Sequence, residues 1–291
     1  MNTAFSNLII EADELSNTLN TAVVLDCRFS LADASAGRAD YQRGHIPGAL
    51  YCDLNLHLSR QQSEHGGRHP LPAEHAFFDQ LARWGISPHT EVILYDDQKF
   101  AFASRAWWLL SMAGIANVRI LNGGYRAWCN AGYAQDRRTA PEKNATANHS
   151  GAKEGFDRSN VKSFADILQS QDTQGLTLID SRETARYRGE SEPIDPIAGH
   201  IPGALNFPWG EVSDQQGYIQ PIQFHIQRWQ NVHQPDENAV IYCGSGVTAC
   251  VNLLSATIAG RAFRVYAGSW SDWISHQDAP IAVSPQPKLA H

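Results

Sequence analysis

The heptapeptide Gly44-His45-Ile46-Pro47-Gly48-Ala49-Leu50 occurs twice in this sequence, and the second copy fills residues 199–205 letter for letter. Three further blocks recur in the same order at a nearly constant offset: 24–28 with 178–182, 92–96 with 240–243 once one residue is skipped, and 122–128 with 267–273. Four blocks in one order are not a chance match. The sequence therefore predicts a tandem duplication in which the repeated unit is a whole domain.

The length of the chain agrees with two domains of ordinary size, since it has 291 residues. Between the two sets of blocks lies a polar stretch without apolar periodicity, which is typical of a linker. We predict an N-terminal domain over residues 1–135, a linker over 136–157 and a C-terminal domain over 158–291.

Short apolar runs alternate with helical patterns in both halves. Val92–Tyr95 and Val240–Tyr242 read as buried strands, and the apolar residues of the stretch 247–258 recur at helical spacing. This alternation predicts an α/β fold in which each domain is a parallel sheet flanked by helices. In such sheets the functional sites lie beyond the C-terminal ends of the strands.

Composition excludes several classes of partner. The net charge is −7 and no stretch is strongly basic, so nucleic-acid binding is not expected. No apolar run approaches the roughly 18–20 residues that span a bilayer, and the N-terminus lacks the basic start of a signal peptide. Five cysteines without a Cys-x-x-Cys pair argue against a disulfide framework or a zinc ribbon. We expect a cytoplasmic protein with reduced thiols.

One of these thiols ends a predicted strand. Cys243 is followed by Gly244-Ser245-Gly246-Val247-Thr248, and two glycines in this loop let successive N–H groups turn toward the sulfur. Such a site lowers the pKa of a thiol. Cysteine is often just a small buried strand residue, but this loop favours a nucleophile. The remaining cysteines lack such a loop and are interpreted as structural: Cys27, Cys52, Cys129 and Cys250.

Other cysteine chemistries fit less well. A cysteine phosphatase needs an arginine six residues after the nucleophile, where this chain has Ala249. A papain-like Cys–His pair would need a histidine that the fold brings close, and sequence does not exclude one. The duplicated α/β pattern is wrong for that class.

The duplication, the paired GHIPGA blocks, Trp107-Trp108 and the C-G-S-G-V-T-A loop together make the chain resemble the two-domain rhodanese-like sulfurtransferases, and within them the 3-mercaptopyruvate branch. The resemblance implies that the C-terminal domain is catalytic and that the N-terminal domain is an inactive copy. The letters agree, because Asp96 stands in the place of Cys243 and a carboxylate cannot carry sulfur.

The resemblance also implies a substrate-binding cation. Arg186 matches an arginine that binds the substrate carboxylate in the family, and the nearby Arg188 is a candidate assistant; solvated surface charge is the alternative for both. The second arginine that the family has about nine residues later is missing, because the segment 190–196 contains none. Ala267 stands where an aspartate is common. Both departures bear on the choice of donor.

His45 matches a histidine that the family is proposed to use in a proton relay at the domain interface. An aspartate belongs to the same relay, and either Asp40 or Asp33 is a candidate. The alternative for His45 is a purely structural role in the turn that contains Pro47 and Gly48, as expected for its repeat counterpart His200. Ser245 is the hydroxyl nearest to Cys243 in sequence and is predicted to donate a proton.

The resemblance implies that sulfur passes from 3-mercaptopyruvate to a Cys243 persulfide and then to an acceptor. The acceptor is cyanide, a small thiol or a thioredoxin-like protein, and the loop residues Gly244, Gly246, Val247 and Thr248 hold the negative charge. Nothing in the sequence calls for a metal or an organic cofactor. The alternatives are thiosulfate:cyanide sulfur transfer and a non-enzymatic sulfur-relay or interaction module.

Overall fold

The computed structural model describes residues 3–142, 155–171 and 175–283. The chain forms two compact units: unit 1 comprises Met1–Arg60, Leu71–Arg158 and Ser213–Ile219, and unit 2 comprises Gln61–Pro70, Ser159–Val212 and Gln220–His291. Each unit therefore includes one short segment from the other half of the sequence. Most of the predicted linker, residues 143–154, lies outside the described residues.

Unit 1 contains one five-stranded sheet in the order β1-β5-β4-β2-β3, and every pair of neighbours is parallel. Its strands are β1 (Ile9–Ile10), β2 (Val23–Asp26), β3 (Leu50–Tyr51), β4 (Val92–Tyr95) and β5 (Val118–Leu121). Its helices are α1 (Thr3–Ser6), α2 (Ala12–Thr18), α3 (Ala36–Arg43), α4 (Glu74–Trp84), α5 (Ala101–Met112) and α6 (Gly124–Asn130).

Unit 2 repeats this topology with a parallel sheet in the order β6-β10-β9-β7-β8. Its strands are β6 (Val161–Lys162), β7 (Thr177–Asp180), β8 (Leu205–Asn206), β9 (Ala239–Tyr242) and β10 (Arg264–Tyr266). Its helices are α7 (Phe164–Gln171), α8 (Thr184–Tyr187), α9 (Ile222–Trp229), α10 (Ala249–Ile258) and α11 (Ser269–Trp273), with short 3₁₀ turns at Trp209–Val212 and Asp236–Asn238. The predicted α/β duplication is confirmed.

The central strand of each sheet is apolar along its whole length. All four residues of β4 and all four of β9 are buried, as expected where helices cover both faces of a parallel sheet. The helix α10 that follows β9 is also buried over most of its length, because it packs between the sheet and other helices. Among the described residues, no helix combines the length and the apolar character that crossing a membrane requires.

In each unit, a buried ion pair binds the first residue of the repeated heptapeptide. In unit 1, Arg28 donates to both carboxylate oxygens of Asp26 at 2.5–3.1 Å and to the carbonyl of Gly44 at 2.7 Å. In unit 2, Arg182 bonds Asp180 and the Gly199 carbonyl in the same way. The Asp-x-Arg sequence at the end of one strand thus fixes the turn before the next, which explains why both blocks occur twice.

We predict that Arg28→Met destabilises the protein, because it leaves the Asp26 carboxylate buried without its cation. A broken buried pair of this kind costs about 3–5 kcal/mol of unfolding free energy. Urea unfolding at neutral pH measures the loss. Arg43→Ala is the control, since the Arg43 side chain is 77% exposed in its pair with Asp40 and should change stability little. Equal stability of the two variants would contradict the structural role of the buried pair.

Candidate active site

Cys243 is the first residue after the central strand β9 and is almost completely buried. The loop 244–248 turns around its side chain before α10 begins at Ala249. The backbone N–H of Gly246 donates to the Cys243 Sγ at 3.1 Å. Ser269 Oγ accepts a hydrogen bond from the backbone N–H of Cys243 at 3.1 Å and lies 4.0 Å from its Sγ. The sulfur is thus surrounded by donors from its own loop and from the start of α11.

The loop depends on glycine at Gly246. Its φ of +74° lies in the left-handed region, and a Cβ atom there would approach the carbonyl oxygen of Ala267 to 2.2 Å. No other residue could hold this backbone without moving the loop. The loop therefore turns around the sulfur as the two glycines predicted.

These donors change the acidity of the thiol. Burial alone would raise the pKa of Cys243, but hydrogen bonds from the Thr248 hydroxyl and from the N–H groups of Ser245, Ala249 and Gly246 outweigh it. The pKa of Cys243 is therefore lowered from its ordinary value, because each of these bonds favours the thiolate over the thiol.

In unit 1, the position that corresponds to Cys243 carries a carboxyl side chain in place of the thiol. Asp96 directly follows the central strand β4, and its carboxylate accepts four backbone hydrogen bonds of 2.9–3.1 Å, from Gln98, Phe100, Phe102 and Ala103. The N–H groups that would stabilise a sulfur anion are thus already bound to a side chain of the loop. The inactivity of the N-terminal copy stays a prediction.

Two guanidinium groups lie beside the loop of Cys243. A Cβ atom on Gly244 would be 3.0 Å from Arg68 Nη2 and 3.4 Å from Arg186 Nη2, so the missing side chain leaves room for both cations. Arg186 was predicted from the resemblance, whereas Arg68 comes from the segment 61–70 and was missed. That segment belongs to unit 2 although it lies in the N-terminal half of the sequence.

Both cations are held by carboxylates. Arg186 donates to Glu192 at 2.7–3.0 Å and to Asp195 at 3.1 Å, and Arg68 forms an ion pair with Asp195. Burial lowers the pKa of Arg68, while the neighbouring Cys243 opposes that shift. The segment 190–196, in which the second arginine was expected, thus supplies the acids that position the two arginines.

Ser245 is hydrogen-bonded to a histidine that sequence reasoning missed. Its hydroxyl lies 2.8 Å from His69 Nδ1, and both side chains are buried. His69 follows Arg68 in the same segment, so two adjacent residues bring a cation and a titratable ring to the loop. The only sequence signal was the cluster His65-Gly66-Gly67-Arg68-His69, which has no counterpart in the second half.

His45 and the cluster around Cys243 belong to different units. His45 lies in unit 1, where its ring stacks on Tyr41 at 3.9 Å and its Nδ1 donates to the Tyr41 carbonyl at 2.7 Å. His200 has the same arrangement on Tyr187. This shared environment favours the structural alternative for both histidines, and the catalytic role of His45 stays a prediction. The candidate aspartates bond elsewhere, Asp40 to Arg43 and Asp33 to Ser35.

The remaining predicted residues divide into two groups. Val247 and Thr248 lie in the loop, where Val247 is buried and Thr248 bonds the sulfur. Arg188 is half-exposed, lies 3.9 Å from Glu190, and lines a cavity of about 580 Å³ together with Tyr187 and Arg228. Its predicted role as an assistant to Arg186 stays a prediction.

We predict that Thr248→Val raises the pKa of Cys243, because it removes the hydroxyl that stabilises the thiolate. The pH dependence of iodoacetamide labelling at Cys243 measures this, since only the thiolate reacts. The wild-type midpoint should lie below the ordinary value near 8.5, and the variant midpoint should lie above that of the wild type.

Thr257→Val is the control, because Thr257 lies on α10 and its hydroxyl donates to the Leu253 carbonyl, within the helix. It should leave the midpoint unchanged. A wild-type midpoint at or above that of free cysteine would show that the loop does not stabilise the thiolate.

Comparison with known proteins agrees with this fold. A family model described as "Rhodanese-like domain" matches residues 11–131 and 160–276. The chain is 41% identical to a "Probable 3-mercaptopyruvate sulfurtransferase" of Pseudomonas aeruginosa, over 94% of this chain and 97% of the relative. It is 36% identical to a "Putative thiosulfate sulfurtransferase SseB" of Mycobacterium tuberculosis, over 96% and 98%. The crystal structure of the 3-mercaptopyruvate sulfotransferase SseA from Escherichia coli superposes with a TM-score of 0.76 at 27% identity, over 91% of this chain and 99% of that one. The chain therefore belongs to the two-domain rhodanese-like sulfurtransferases.

Proposed function

We propose that this sulfurtransferase takes sulfur from 3-mercaptopyruvate, carries it as a persulfide on Cys243 and passes it to a thiol or to cyanide. The observation that supports this most strongly is the buried Cys243 thiol in a loop of hydrogen-bond donors, with Arg68 and Arg186 beside it. A cysteine nucleophile reacts as its thiolate, which the hydrogen-bond donors of the loop stabilise. A keto acid carries a carboxylate, which a neighbouring arginine can bind.

In the first half-reaction, the Cys243 thiolate attacks the sulfur of mercaptopyruvate. An S–S bond forms and the C–S bond breaks, so that the electron pair of the C–S bond moves onto the pyruvate enolate. A proton on the enolate carbon completes pyruvate, and the enzyme keeps the Cys243 persulfide. The loop N–H groups stabilise the negative sulfur before and after the transfer.

The pair Ser245–His69 is the proposed source of that proton. The hydroxyl and the imidazole are hydrogen-bonded at 2.8 Å within unit 2, and Ser245 is two residues from the nucleophile. In this scheme His69 takes the place in the relay that the resemblance gave to His45. Proton transfer through a positioned histidine typically contributes about 10²–10⁴-fold to a rate.

In the second half-reaction, the acceptor attacks the outer sulfur of the persulfide. Cys243 leaves as a thiolate, which the same loop stabilises, so one site serves both halves of a ping-pong scheme. A small thiol, a thioredoxin-like protein and cyanide all supply the required nucleophile. Because the nucleophile and the acceptor thiols must remain reduced, a cytoplasmic setting accompanies this proposal.

The donor carboxylate is proposed to bind at Arg186 and Arg68. A planar guanidinium matches a carboxylate in bidentate geometry, and Arg68 takes the place of the second arginine that the segment 190–196 lacks. A bound carboxylate competes with Glu192 and Asp195 for these cations. Thiosulfate is the second candidate donor, because two cations beside the sulfur also suit a compact dianion.

Two observations favour mercaptopyruvate. The residues that follow Cys243, Gly244 and Ser245, are neutral, so no cation of the loop itself faces the nucleophile. Both arginines reach the loop from other segments and lie beside Gly244, so their guanidinium groups are not part of the loop that holds the sulfur. Cyanide-acceptor assays with mercaptopyruvate and with thiosulfate, run side by side, test the assignment.

We predict a higher kcat/KM with mercaptopyruvate than with thiosulfate. Arg186→Ala and Arg68→Ala should each lower kcat/KM for mercaptopyruvate by roughly ten- to a hundredfold, as expected for the loss of a charged hydrogen bond of about 1.5–3 kcal/mol. Arg186→Ala should affect thiosulfate less. Arg137→Ala is the control, because Arg137 is an exposed arginine with no proposed role in binding, and it should leave both donors nearly unchanged. A wild-type preference for thiosulfate, or equal losses with both donors in Arg186→Ala, would contradict the donor assignment and leave the sulfurtransferase activity standing.

A further inference from the structure

Three side chains of the kinds that bind transition metals meet in unit 2: His65, Asp272 and His276. Their potential ligand atoms all lie within 4.8 Å of one another. They come from two distant parts of the sequence, His65 from the segment 61–70 and the other two from α11 and the turn after it. No sequence motif joins them, so the cluster exists only in the folded unit.

The distance between the Asp272 and His276 side chains fits a shared ion. His276 Nε2 lies 3.4 Å from Asp272 Oδ1. Two ligands at about 2.0–2.1 Å from a tetrahedral zinc ion are separated by roughly 3.3–3.4 Å. The two atoms therefore stand at the separation that adjacent ligands of one ion would have.

The third side chain, His65, is exposed and bonds a neighbour through one of its two ring nitrogens. His65 Nδ1 is hydrogen-bonded to Ser275 Oγ at 2.8 Å, which leaves Nε2 as the nitrogen for an ion. Its ring stacks on His276 at 4.1 Å with an interplanar angle of 7°. Stacked rings cannot both direct their nitrogens at one ion, so the exposed His65 must pivot about the Ser275 bond.

The aspartate is held in place by neighbouring donors. Tyr266 donates its hydroxyl to Asp272 Oδ2 at 2.6 Å, and the backbone N–H of Gly66 donates to Oδ1 at 2.7 Å. Hydrogen bonds of this kind, made to a coordinating side chain, orient it and typically contribute 10–100-fold to metal affinity. Together with the Ser275 bond to His65, they give two of the three ligands a supporting contact.

We propose that His65, Asp272 and His276 form a binding site for one divalent transition-metal ion, with zinc as the best match to two imidazoles and a carboxylate. The ion fastens the segment 61–70 to α11. That helix is tied to the nucleophile loop, because Trp270 and Ser271 donate their N–H groups to the carbonyls of Cys243 and Gly244 at 3.0 and 2.9 Å. The metal thus holds in place the segment that carries Arg68 and His69, and the site itself does not depend on which sulfur donor the enzyme uses.

The test is calorimetric titration of the full-length chain with Zn²⁺, in a Cys243→Ser background that removes the stabilised thiolate as a competing ligand. We expect one ion per chain and an increase in melting temperature on binding. His65→Ala and His276→Ala should each weaken binding by at least about tenfold and remove the thermal shift. His233→Ala is the matched control, since His233 is an exposed histidine of unit 2 outside the cluster, and it should bind as tightly as the parent.

The melting temperature of each histidine variant is also measured without metal and compared with that of the parent. A variant that melts like the parent but no longer binds zinc has lost a metal ligand and not its fold. The proposal is overturned if no ion binds, or if binding survives in both histidine variants. It is also overturned if Co²⁺ in the same background shows the charge-transfer absorption of a thiolate ligand, because the ion would then be held by a cysteine.

Discussion

Backbone N–H groups at the C-terminal end of the central strand are the interaction on which both halves of this protein depend. In unit 1 they bind the carboxylate of Asp96, and in unit 2 they surround the sulfur of Cys243. A buried anion is costly unless donors replace its water, and the loop provides them without any cationic side chain. The same architecture therefore binds its own Asp96 side chain in one copy and lowers the pKa of the Cys243 thiol in the other.

The other parts of the site follow from this arrangement. Because the loop itself is neutral, any cation for a substrate carboxylate must come from elsewhere, and Arg186 and Arg68 approach where Gly244 leaves space. These cations are buried enough to need partners, which Glu192 and Asp195 supply. In the proposed function, the substrate carboxylate therefore displaces Glu192 and Asp195 from these arginines instead of binding to unpaired cations.

Much of the fold was predictable because the relevant signals are local or repeated. The recurring GHIPGA block, the Asp-x-Arg pairs and the loop after Cys243 each lie within a short stretch and are confirmed as parts of a duplicated parallel α/β fold. Arg68 and His69 could not be predicted, because the segment 61–70 has no repeat counterpart and its place in unit 2 depends on tertiary contacts. The contacts of Gly66, Gly67 and Arg68 with 268–272 fix that segment, and a sequence pattern does not encode them.

The measurement that tests the central claim most directly is peptide mass spectrometry after treatment of the protein with mercaptopyruvate alone, without an acceptor. If the backbone donors at the end of β9 create the sulfur carrier, the mass of one added sulfur atom will map to the peptide that contains Cys243. The other cysteines will be unmodified, and an added thiol will remove the sulfur. An added sulfur on Cys27, Cys52, Cys129 or Cys250 with Cys243 unchanged would contradict the account.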